Sequence, residues 1–451
     1  MPVRNVLLLL TDQHRAAATG FAGDPLASTP NLDGLAARST VFTRAYTPAP
    51  LCVPARQSLL TGRYPHAHGA TGNARPMHQG ETTIGHLAAA HGLTTAAIGK
   101  MHFVGPDRHQ GFATRWDYED YAREQPLAAG DAASGMAYVD CYGRRAPDAD
   151  LPTLPATNPL NRAYLSGPSP FPAEQHIESY VTRETIRYLE RQRDERFLLI
   201  CSYWKPHDPM TPPEPYWERF AHADIPLPAQ IEEVPSGVQR MQGALGVEGF
   251  DPDAWRNAVR GYYGNLAFVD AQIGTVLDAV RALGLLDDTL IIYASDHGEM
   301  TGVLPLAGKL CFYEPAWRVP LLISHPAPRA PFATCDALVS LIDLFPTIVD
   351  ALGLAPESAS ARLHGATLLP HITGDPAPPA RHHVYGELHP RNASRPYRAI
   401  RTHDWKLALY EPGEEQLFDL RLDPGERHNV HADHPARAAE LERLMPSTSR
   451  A

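Results

Sequence analysis

The amino-acid sequence predicts an α/β protein with a large, mostly parallel mixed sheet flanked by helices and a small C-terminal α+β subdomain with antiparallel strands. Strand-length apolar runs alternate with stretches of helical periodicity along most of the chain. These runs are apolar at nearly every position, which is typical of strands covered on both faces. From about residue 370 the pattern changes to short strands joined by turns, so we assign residues 1–369 to a main domain and 370–451 to the subdomain.

Four of the apolar runs end directly before polar residues. The runs cover residues 6–10, 94–98, 197–202 and 290–294. The polar residues that follow them include, in chain order, Asp12, Lys100, His207 and Asp296. In sheets of this kind ligands bind beyond the carboxyl ends of the strands. We therefore expect these residues, which are far apart in sequence, to share one site.

Helical periodicity is clearest at residues 176–193, 255–283 and 337–352, and we expect the third helix to be bent or interrupted at Pro346. Residues 127–172 are rich in Ala, Gly and Pro without a period, and predict a long irregular loop near the site entrance. The predicted elements of the subdomain are strands within 382–388, 397–410 and 415–420 and a helix at 435–444.

Composition narrows the class of protein. The chain has 451 residues, 43% of them apolar and 20% charged, as in a globular protein with a substantial core. The net charge is −11 without a long run of Lys and Arg, which argues against a nucleic-acid partner, and no segment is long and apolar enough to span a membrane. The five cysteines are widely spaced without a CxxC pair, so we expect a reduced, cytoplasmic setting. A homo-oligomer is compatible with the sequence.

The segment at residues 50–63 carries the most specific pattern. Pro54 suits the first turn of a helix and Gly62 suits its end, which puts Cys52 at a helix N-terminus with Arg56 one turn further on. Unpaired backbone N–H groups at such a terminus favour an anion. A lone cysteine is more often a small buried hydrophobe. The residues around Cys52 decide whether it belongs to an anion site or is a small buried hydrophobe.

Cys52-x-Pro54-x-Arg56 followed by Leu-Leu-Thr-Gly-Arg at 59–63 resembles the defining motif of the formylglycine-dependent sulfatases, in the alkaline-phosphatase-like superfamily. In that family the formylglycine-generating enzyme oxidises the cysteine to formylglycine. The resemblance therefore implies the alkaline-phosphatase-like fold and hydrolysis of a sulfate ester to an alcohol and inorganic sulfate. Val53 departs from the small residue that is commoner there, which bears on the efficiency of the modification.

The resemblance extends to a divalent-metal site. Many family members have a second aspartate and an asparagine where this chain has Gln13 and His297, and this variant occurs in choline sulfatases and phosphonate monoester hydrolases. The ligands implied by the resemblance are Asp12, modified Cys52, Asp296 and His297. Oxygen ligands favour a hard cation, so calcium is the first choice, while the imidazole leaves manganese and magnesium open. Gln13 is assigned to substrate binding.

Other residues acquire roles from the same resemblance. The segment at 99–106 is similar to the choline-sulfatase branch, and implies that Lys100 and His102 contact the sulfate together with Arg56. His207 and Lys309 resemble the pair that assists departure of the alcohol. Asn73 either donates a hydrogen bond to the bound anion or is a plain turn residue. Glu387, with His389, is expected to face the substrate from the subdomain.

Three questions stay open at this point. A phosphonate monoester or phosphodiester hydrolase on the same site is the nearest alternative, and the Lys100/His102 pair favours sulfate. The second alternative is a non-catalytic metal-binding protein in which Cys52 stays unmodified. The third question is the alcohol, which is either choline or a carbohydrate. Choline carries a quaternary ammonium, and such a group needs an aromatic cage. The candidate cage residues are Trp116, Tyr118, Tyr138, Tyr142 and Trp204.

Overall fold

The computed structural model describes residues 2–116, 166–229, 234–238, 252–326, 333–354, 363–375, 381–391 and 393–446. Within these ranges the strands are β1 Asn5–Asp12, β2 Thr40–Phe42, β3 Ala45–Tyr46, β4 Thr94–Gly99, β5 Thr114–Trp116, β6 Phe197–Pro206, β7 Thr289–Ser295, β8 Arg318–Val319, β9 Leu321–Ser324, β10 Ala333–Cys335, β11 Val339–Ser340, β12 Val384–Leu388, β13 Tyr397–Arg401, β14 Trp405–Leu409 and β15 Glu415–Asp419. The α-helices are α1 Pro30–Ala36, α2 Cys52–Thr61, α3 Pro65–His68, α4 Ile84–Ala90, α5 Ile177–Gln192, α6 Pro252–Ala282, α7 Glu314–Trp317, α8 Leu344–Leu352, α9 Leu369–Thr373 and α10 Pro435–Arg443. Most of the predicted loop at 127–172 lies outside the described residues.

The main sheet confirms the predicted mixed, mostly parallel architecture. Among the described residues, its eight strands run in the order β10-β2-β9-β7-β1-β6-β4-β5, and only the pairs that include β9 are antiparallel. Strand β1 lies near the centre, parallel to β6 and β7, with Val6 opposite Leu198 and Leu290. The strands next to β1 therefore end at the same edge of the sheet.

The unbroken apolar character of β1 follows from its position between two helical layers. Leu7 and Leu9 pack into one core with residues of α5 and α6, while Val6, Leu8 and Leu10 pack into the other with residues of α2 and α8. Successive side chains of a strand point to opposite faces, so both alternating sets must be apolar. All eight residues of β1 are buried.

The small antiparallel sheet near the C-terminus is also confirmed, in the order β12-β13-β14-β15. One face is covered by α10, where Leu441 joins a core with Leu407 and Leu417. The other face packs on the main body, where Ala399 and Phe418 join a core that contains residues of α7. The boundary between residues 369 and 370 stays a prediction.

The predicted helix at 337–352 is wrong in its first part. Residues Val339–Ser340 form β11 and Leu341–Asp343 form a short 3-10 turn, so α8 begins only at Leu344. The Asp343 carboxylate accepts a hydrogen bond from the Ser340 backbone N–H at 2.8 Å, which stabilises the turn. Pro346 consequently lies in the first turn of α8, where it has no i−4 partner to lose, and it does not interrupt the helix.

The helices predicted at 176–193 and 255–283 are confirmed as α5 and α6. In the part of the chain that the structure describes, none of the helices combines the length and the apolar character that a bilayer crossing requires.

Candidate active site

The carboxyl ends of four parallel strands bring the predicted site residues together. Asp12 is the last residue of β1, and Lys100, His207 and Asp296 directly follow β4, β6 and β7. The order β7-β1-β6-β4 makes these strands neighbours in turn. The Lys100 ammonium lies 2.7 Å from Asp12 Oδ2, and the His207 backbone N–H donates to the Asp12 carbonyl at 3.1 Å. The expectation of one shared site is confirmed.

The centre of the site is a group that we call the Cys52 cluster: Asp12, Cys52, Asp296 and His297. Each member offers one ligand atom, and these atoms all lie within 4.8 Å of one another. Cys52 Sγ is 3.3 Å from His297 Nε2, and that nitrogen is 3.6 Å from Asp296 Oδ1. The four residues are buried. The set predicted from the sequence therefore comes together in the fold.

A divalent cation fits this cluster chemically. Two carboxylates, Asp12 and Asp296, are fully buried side by side, which is costly without compensating positive charge. Burial and the charge of Asp12 raise the pKa of Asp296 to about 6. Burial opposes ionisation of Asp12 as well, but the positive charges of Lys100 and Lys309 hold its pKa well below the usual value. His297 Nδ1 donates to the Gly298 carbonyl at 3.1 Å, which leaves Nε2 as the free lone pair that a metal requires.

Helix α2 presents Cys52 to this cluster. The helix begins at Cys52 after the extended residue Leu51, and it ends at Gly62, whose φ of 68° is the left-handed conformation of a C-cap. The predicted helix is confirmed. Burial and the charge of Asp12 oppose ionisation of the thiol, but the cations Lys309 and Lys100 outweigh them and lower the pKa of Cys52 well below its usual value. The local field therefore favours negative charge at position 52.

Arg56 contacts the carboxylates of the cluster instead of facing open space. Its Nε donates to Asp296 Oδ2 at 2.8 Å and one terminal nitrogen donates to Asp12 Oδ2 at 3.0 Å. The other terminal nitrogen donates to the Lys100 carbonyl and to Ser202 Oγ. The side chain is only 1% exposed. Arg56 therefore orients and neutralises the two carboxylates, which differs from the expected grip on sulfate oxygens, and that contact stays a prediction.

Lys309 contacts Cys52 directly and belongs to a hydrogen-bonded chain. Its ammonium donates to Cys52 Sγ at 3.2 Å and to Gln13 Oε1 at 2.7 Å. Gln13, at a left-handed φ of 72°, donates from its amide nitrogen to Glu299. Glu299 in turn accepts from the backbone N–H groups of Thr301 and Gly308 at 2.8 and 2.5 Å. Sequence reasoning missed Glu299, although it stands two residues after His297.

The two residues expected near the leaving group are partly exposed. The side chain of His207 is 17% exposed and that of Lys309 is 14% exposed, whereas Asp12 and His297 are fully buried. His207 Nδ1 donates to the Asp208 carbonyl at 2.9 Å, which leaves Nε2 on the side of Asp12 at 3.9 Å. These two side chains therefore line the side of the cluster that solvent can reach.

The second member of the Lys100/His102 pair also lies against Cys52. Burial lowers the pKa of His102, and a hydrogen bond with the Cys52 side chain opposes that shift. The residue has a left-handed φ of 56°, a conformation that is uncommon for a residue other than glycine. A neutral imidazole beside position 52 is the state that a proton acceptor needs.

The remaining two candidates have clear places. Asn73 accepts a hydrogen bond from the Val53 backbone N–H at 3.0 Å, so it caps the first turn of α2, which supports the turn-residue interpretation. The Glu387 carboxylate is fully buried and is held by His66 at 2.9 Å, by Tyr385 at 3.0 Å and by His389 at 3.5 Å. Contact of Glu387 with substrate stays a prediction.

The cage residues divide into two groups. Tyr118, Tyr138 and Tyr142 lie outside the described residues. Trp116 stacks on Tyr180, with ring centroids 6.3 Å apart. Trp204 faces the ammonium of Lys100.

The mixed sheet with this cluster at its carboxyl edge matches the fold of the alkaline-phosphatase-like superfamily. Residues 4–354 match the model of the family described as Sulfatase, and residues 306–447 match the one described as N-sulphoglucosamine sulphohydrolase, C-terminal. The chain belongs to the sulfatase family, and it is a hydrolase of sulfuric esters.

Individual relatives agree with this assignment. The chain is 29% identical over 444 residues to a choline-sulfatase of Rhizobium meliloti (strain 1021), across 96% of this chain and 83% of the relative. It is 28% identical over 443 residues to an arylsulfatase of Clostridium perfringens (strain 13 / Type A), across 94% and 90%. Among solved structures, the phosphonate monoester hydrolase of Agrobacterium radiobacter superposes with a TM-score of 0.80 at 25% identity, across 98% of this chain and 94% of that chain.

Proposed function

We propose that Cys52 is converted to formylglycine and that the chain then hydrolyses a sulfate ester to an alcohol and inorganic sulfate at the Cys52 cluster. One observation carries the proposal: Cys52 Sγ lies 3.3 Å from His297 Nε2 and 3.2 Å from the Lys309 ammonium, at the N-terminus of α2. A residue that only filled the core would not need two cationic or metal-binding neighbours. These neighbours support a chemical role for Cys52.

A divalent cation and a modified residue 52 would supply the central chemistry. Asp12, Asp296, His297 and residue 52 would hold a divalent cation, which would lower the pKa of a hydroxyl and stabilise negative charge on the sulfate. Residue 52, as hydrated formylglycine, would offer two hydroxyls on one carbon, one to serve as the nucleophile at sulfur and one whose proton would be lost when sulfate leaves. An unmodified thiol lacks the second hydroxyl, which is why the modification matters.

The side chains of this protein perform the remaining tasks. Lys100 holds a sulfate oxygen with its ammonium, which lies at the Cys52 cluster beside Asp12. His102 accepts a proton at position 52, for which its lowered pKa suits it. Lys309 and His207 stabilise or protonate the departing alkoxide from the accessible side of the cluster. Arg56 keeps Asp12 and Asp296 oriented, so it acts through the ligands and is a positioning residue.

We propose calcium as the resident cation, with manganese and magnesium as alternatives. Two buried carboxylates supply the hard oxygen ligands that calcium prefers, and the single imidazole of His297 softens the site towards manganese. Calcium activation that exceeds manganese activation, after removal of bound metal by chelation, would support this choice.

The substrate is proposed to be the sulfate ester of choline or of a carbohydrate. A choline-sulfatase is among the relatives, which supports choline. The Lys100 ammonium already lies over one face of Trp204, 3.8 Å from the ring centroid, and this contact argues against the use of Trp204 in a choline cage. Phosphonate monoester hydrolysis is the second candidate, supported by the TM-score of 0.80 to a phosphonate monoester hydrolase. The Lys100/His102 pair favours sulfate.

The decisive experiment measures both the modification of Cys52 and the hydrolysis of an aryl sulfate. The chain is produced with and without a formylglycine-generating enzyme, and the peptide containing Cys52 is weighed by mass spectrometry. We expect hydrolysis of an aryl sulfate only where this peptide has lost its sulfur, faster than hydrolysis of an aryl phosphonate monoester. Cys201→Ala is the matched control, because Cys201 is also fully buried but is a residue of β6. Full aryl sulfatase activity of Cys52→Ala would refute the proposal.

We further propose a cytoplasmic, reducing setting in which the formylglycine-generating enzyme acts during maturation. Among the described residues, neither the buried Cys201 nor the half-buried Cys335 forms a disulfide, which supports a chain that folds without disulfides. Non-reducing electrophoresis of the purified protein tests this directly.

A further inference from the structure

Trp204 lies between three of the proposed functional residues. It is near the end of β6, and the centroid of its indole is 3.8 Å from the Lys100 ammonium. The His102 and His207 rings pack edge-on against the same indole, with centroids 6.3 and 5.6 Å away and interplanar angles of 62° and 71°. The β4 loop carries Lys100 and His102, while the β6 loop carries His207, so one side chain contacts groups from both loops.

The contact with Lys100 has a specific electrostatic consequence. An ammonium has three N–H donors, and Lys100 lies 2.7 Å from Asp12 Oδ2 on one side. The π face of the indole attracts the cation from another side without accepting a conventional hydrogen bond. The ammonium is thereby held at a fixed position, and donors remain that can meet a sulfate oxygen. An aliphatic side chain at position 204 would fill space but would not attract the charge.

The contacts with the two imidazoles restrict their rotation. His207 is partly exposed, so its ring would have more rotational freedom without a neighbour on this side. Edge-on packing against an indole is a favoured aromatic geometry that selects one ring orientation. The same surface that fixes the sulfate-binding ammonium therefore also fixes the ring proposed to face the leaving group.

We propose that Trp204 is a positioning residue for catalysis, which holds Lys100, His102 and His207 in their working geometry through cation–π and edge-on aromatic contacts. The inference rests on the proposed sulfatase function and extends it to a residue that does not itself act on the substrate. Its effect should therefore appear mainly in kcat and in the binding of sulfate, and only an aromatic ring should replace it.

The experiment compares Trp204→Leu with Trp204→Phe in the modified, metal-loaded enzyme. Trp204→Leu is expected to lower kcat for 4-nitrophenyl sulfate by about 10- to 100-fold, as misplacement of positioned groups does. It is expected to weaken inhibition by inorganic sulfate by about tenfold. Trp204→Phe keeps a π face and should recover most of both losses. Thermal unfolding measures any separate effect on stability.

Trp405→Leu is the matched control. Trp405 is also half-buried, also packs edge-on against a histidine, His434, at 5.3 Å, and also lies beside a cation, Arg437, at 5.6 Å. It belongs to β14 of the small sheet, so its loss should change thermal stability but neither kcat nor sulfate inhibition.

A double-mutant cycle with Lys100→Ala completes the test. If Trp204 acts through Lys100, Trp204→Leu should cost far less in the Lys100→Ala background than in the wild type. Equal losses in both backgrounds, wild-type kcat in Trp204→Leu, or no recovery in Trp204→Phe would each overturn the inference. A wild-type enzyme that carries formylglycine but hydrolyses no sulfate ester would instead overturn the proposed function, and this inference with it.

Discussion

Replacement of Arg56 by methionine tests whether its guanidinium is what makes the paired buried carboxylates tolerable. Methionine has a comparable length and no charge, so the change removes both ion pairs, at 2.8 Å to Asp296 and 3.0 Å to Asp12, with little loss of packing. Removing one partner of a buried ion pair typically costs about 3–5 kcal/mol, because the other charge stays buried and unpaired.

The structure places the expected cost near the lower end of that range. Asp12 keeps the Lys100 ammonium at 2.7 Å, and Asp296 Oδ1 keeps the backbone N–H groups of Gln13 and His297 at 3.1 and 2.9 Å. Ser202 Oγ still donates to the Lys100 carbonyl at 2.6 Å, so that carbonyl also stays satisfied. We therefore expect Arg56→Met to lower the free energy of unfolding by about 3 kcal/mol without metal.

Urea unfolding in the presence of a chelator, and again with calcium, measures this cost. Since the variant leaves two carboxylates without their guanidinium, calcium should stabilise it more than it stabilises the wild type. The control is Arg187→Met, which removes an arginine that is 56% exposed and paired with Glu184, and should cost about 0.5 kcal/mol or less. A loss below about 1 kcal/mol in Arg56→Met, or equal calcium effects in both proteins, would contradict the reasoning.

Three further predictions concern residues around the site and in the subdomain. Glu299→Gln should lower kcat by about tenfold with little change in KM in steady-state assays, because it weakens the hydrogen-bonded chain that holds Lys309; an unchanged kcat would exclude that role. Gly99→Ala should lower both stability and activity, since its φ is +98° and an added Cβ would overlap the Ser202 carbonyl oxygen that also accepts from the Lys100 backbone N–H; unchanged thermal unfolding would contradict this. Burial opposes ionisation of Glu387, but hydrogen bonds from the neighbouring histidines outweigh it and lower its pKa. Its stabilising effect should be complete well above its unfolded pKa of about 4.3 and should fall as the pH drops below that value, so the stability difference between wild type and Glu387→Gln should shrink in acid urea titrations.

The sequence was sufficient for the main sheet because its strands have a pattern that few other structures produce. Residues 6–10 are apolar without alternation, and β1 is indeed buried on both faces between two helical layers. The Cys52 cluster was also predictable, since the motifs around Cys52, Asp12 and Asp296 resemble those of the sulfatases, and their positions at strand and helix ends bring them to one edge. The helix predicted at 337–352 failed because a capping contact of Asp343 makes a turn where periodicity alone suggests a helix.

What the sequence by itself determined is therefore the fold class, which depends on apolar periodicity, and the family and the four residues of the Cys52 cluster, which depend on motifs that resemble those of the sulfatases. Only the tertiary structure decided what Arg56 contacts, how Glu299 reaches Lys309 through Gln13, and that Trp204 lies against three functional residues. Those contacts join residues far apart in the chain, and the direction of a long side chain among several possible partners depends on the packing and charge that surround it in the folded protein.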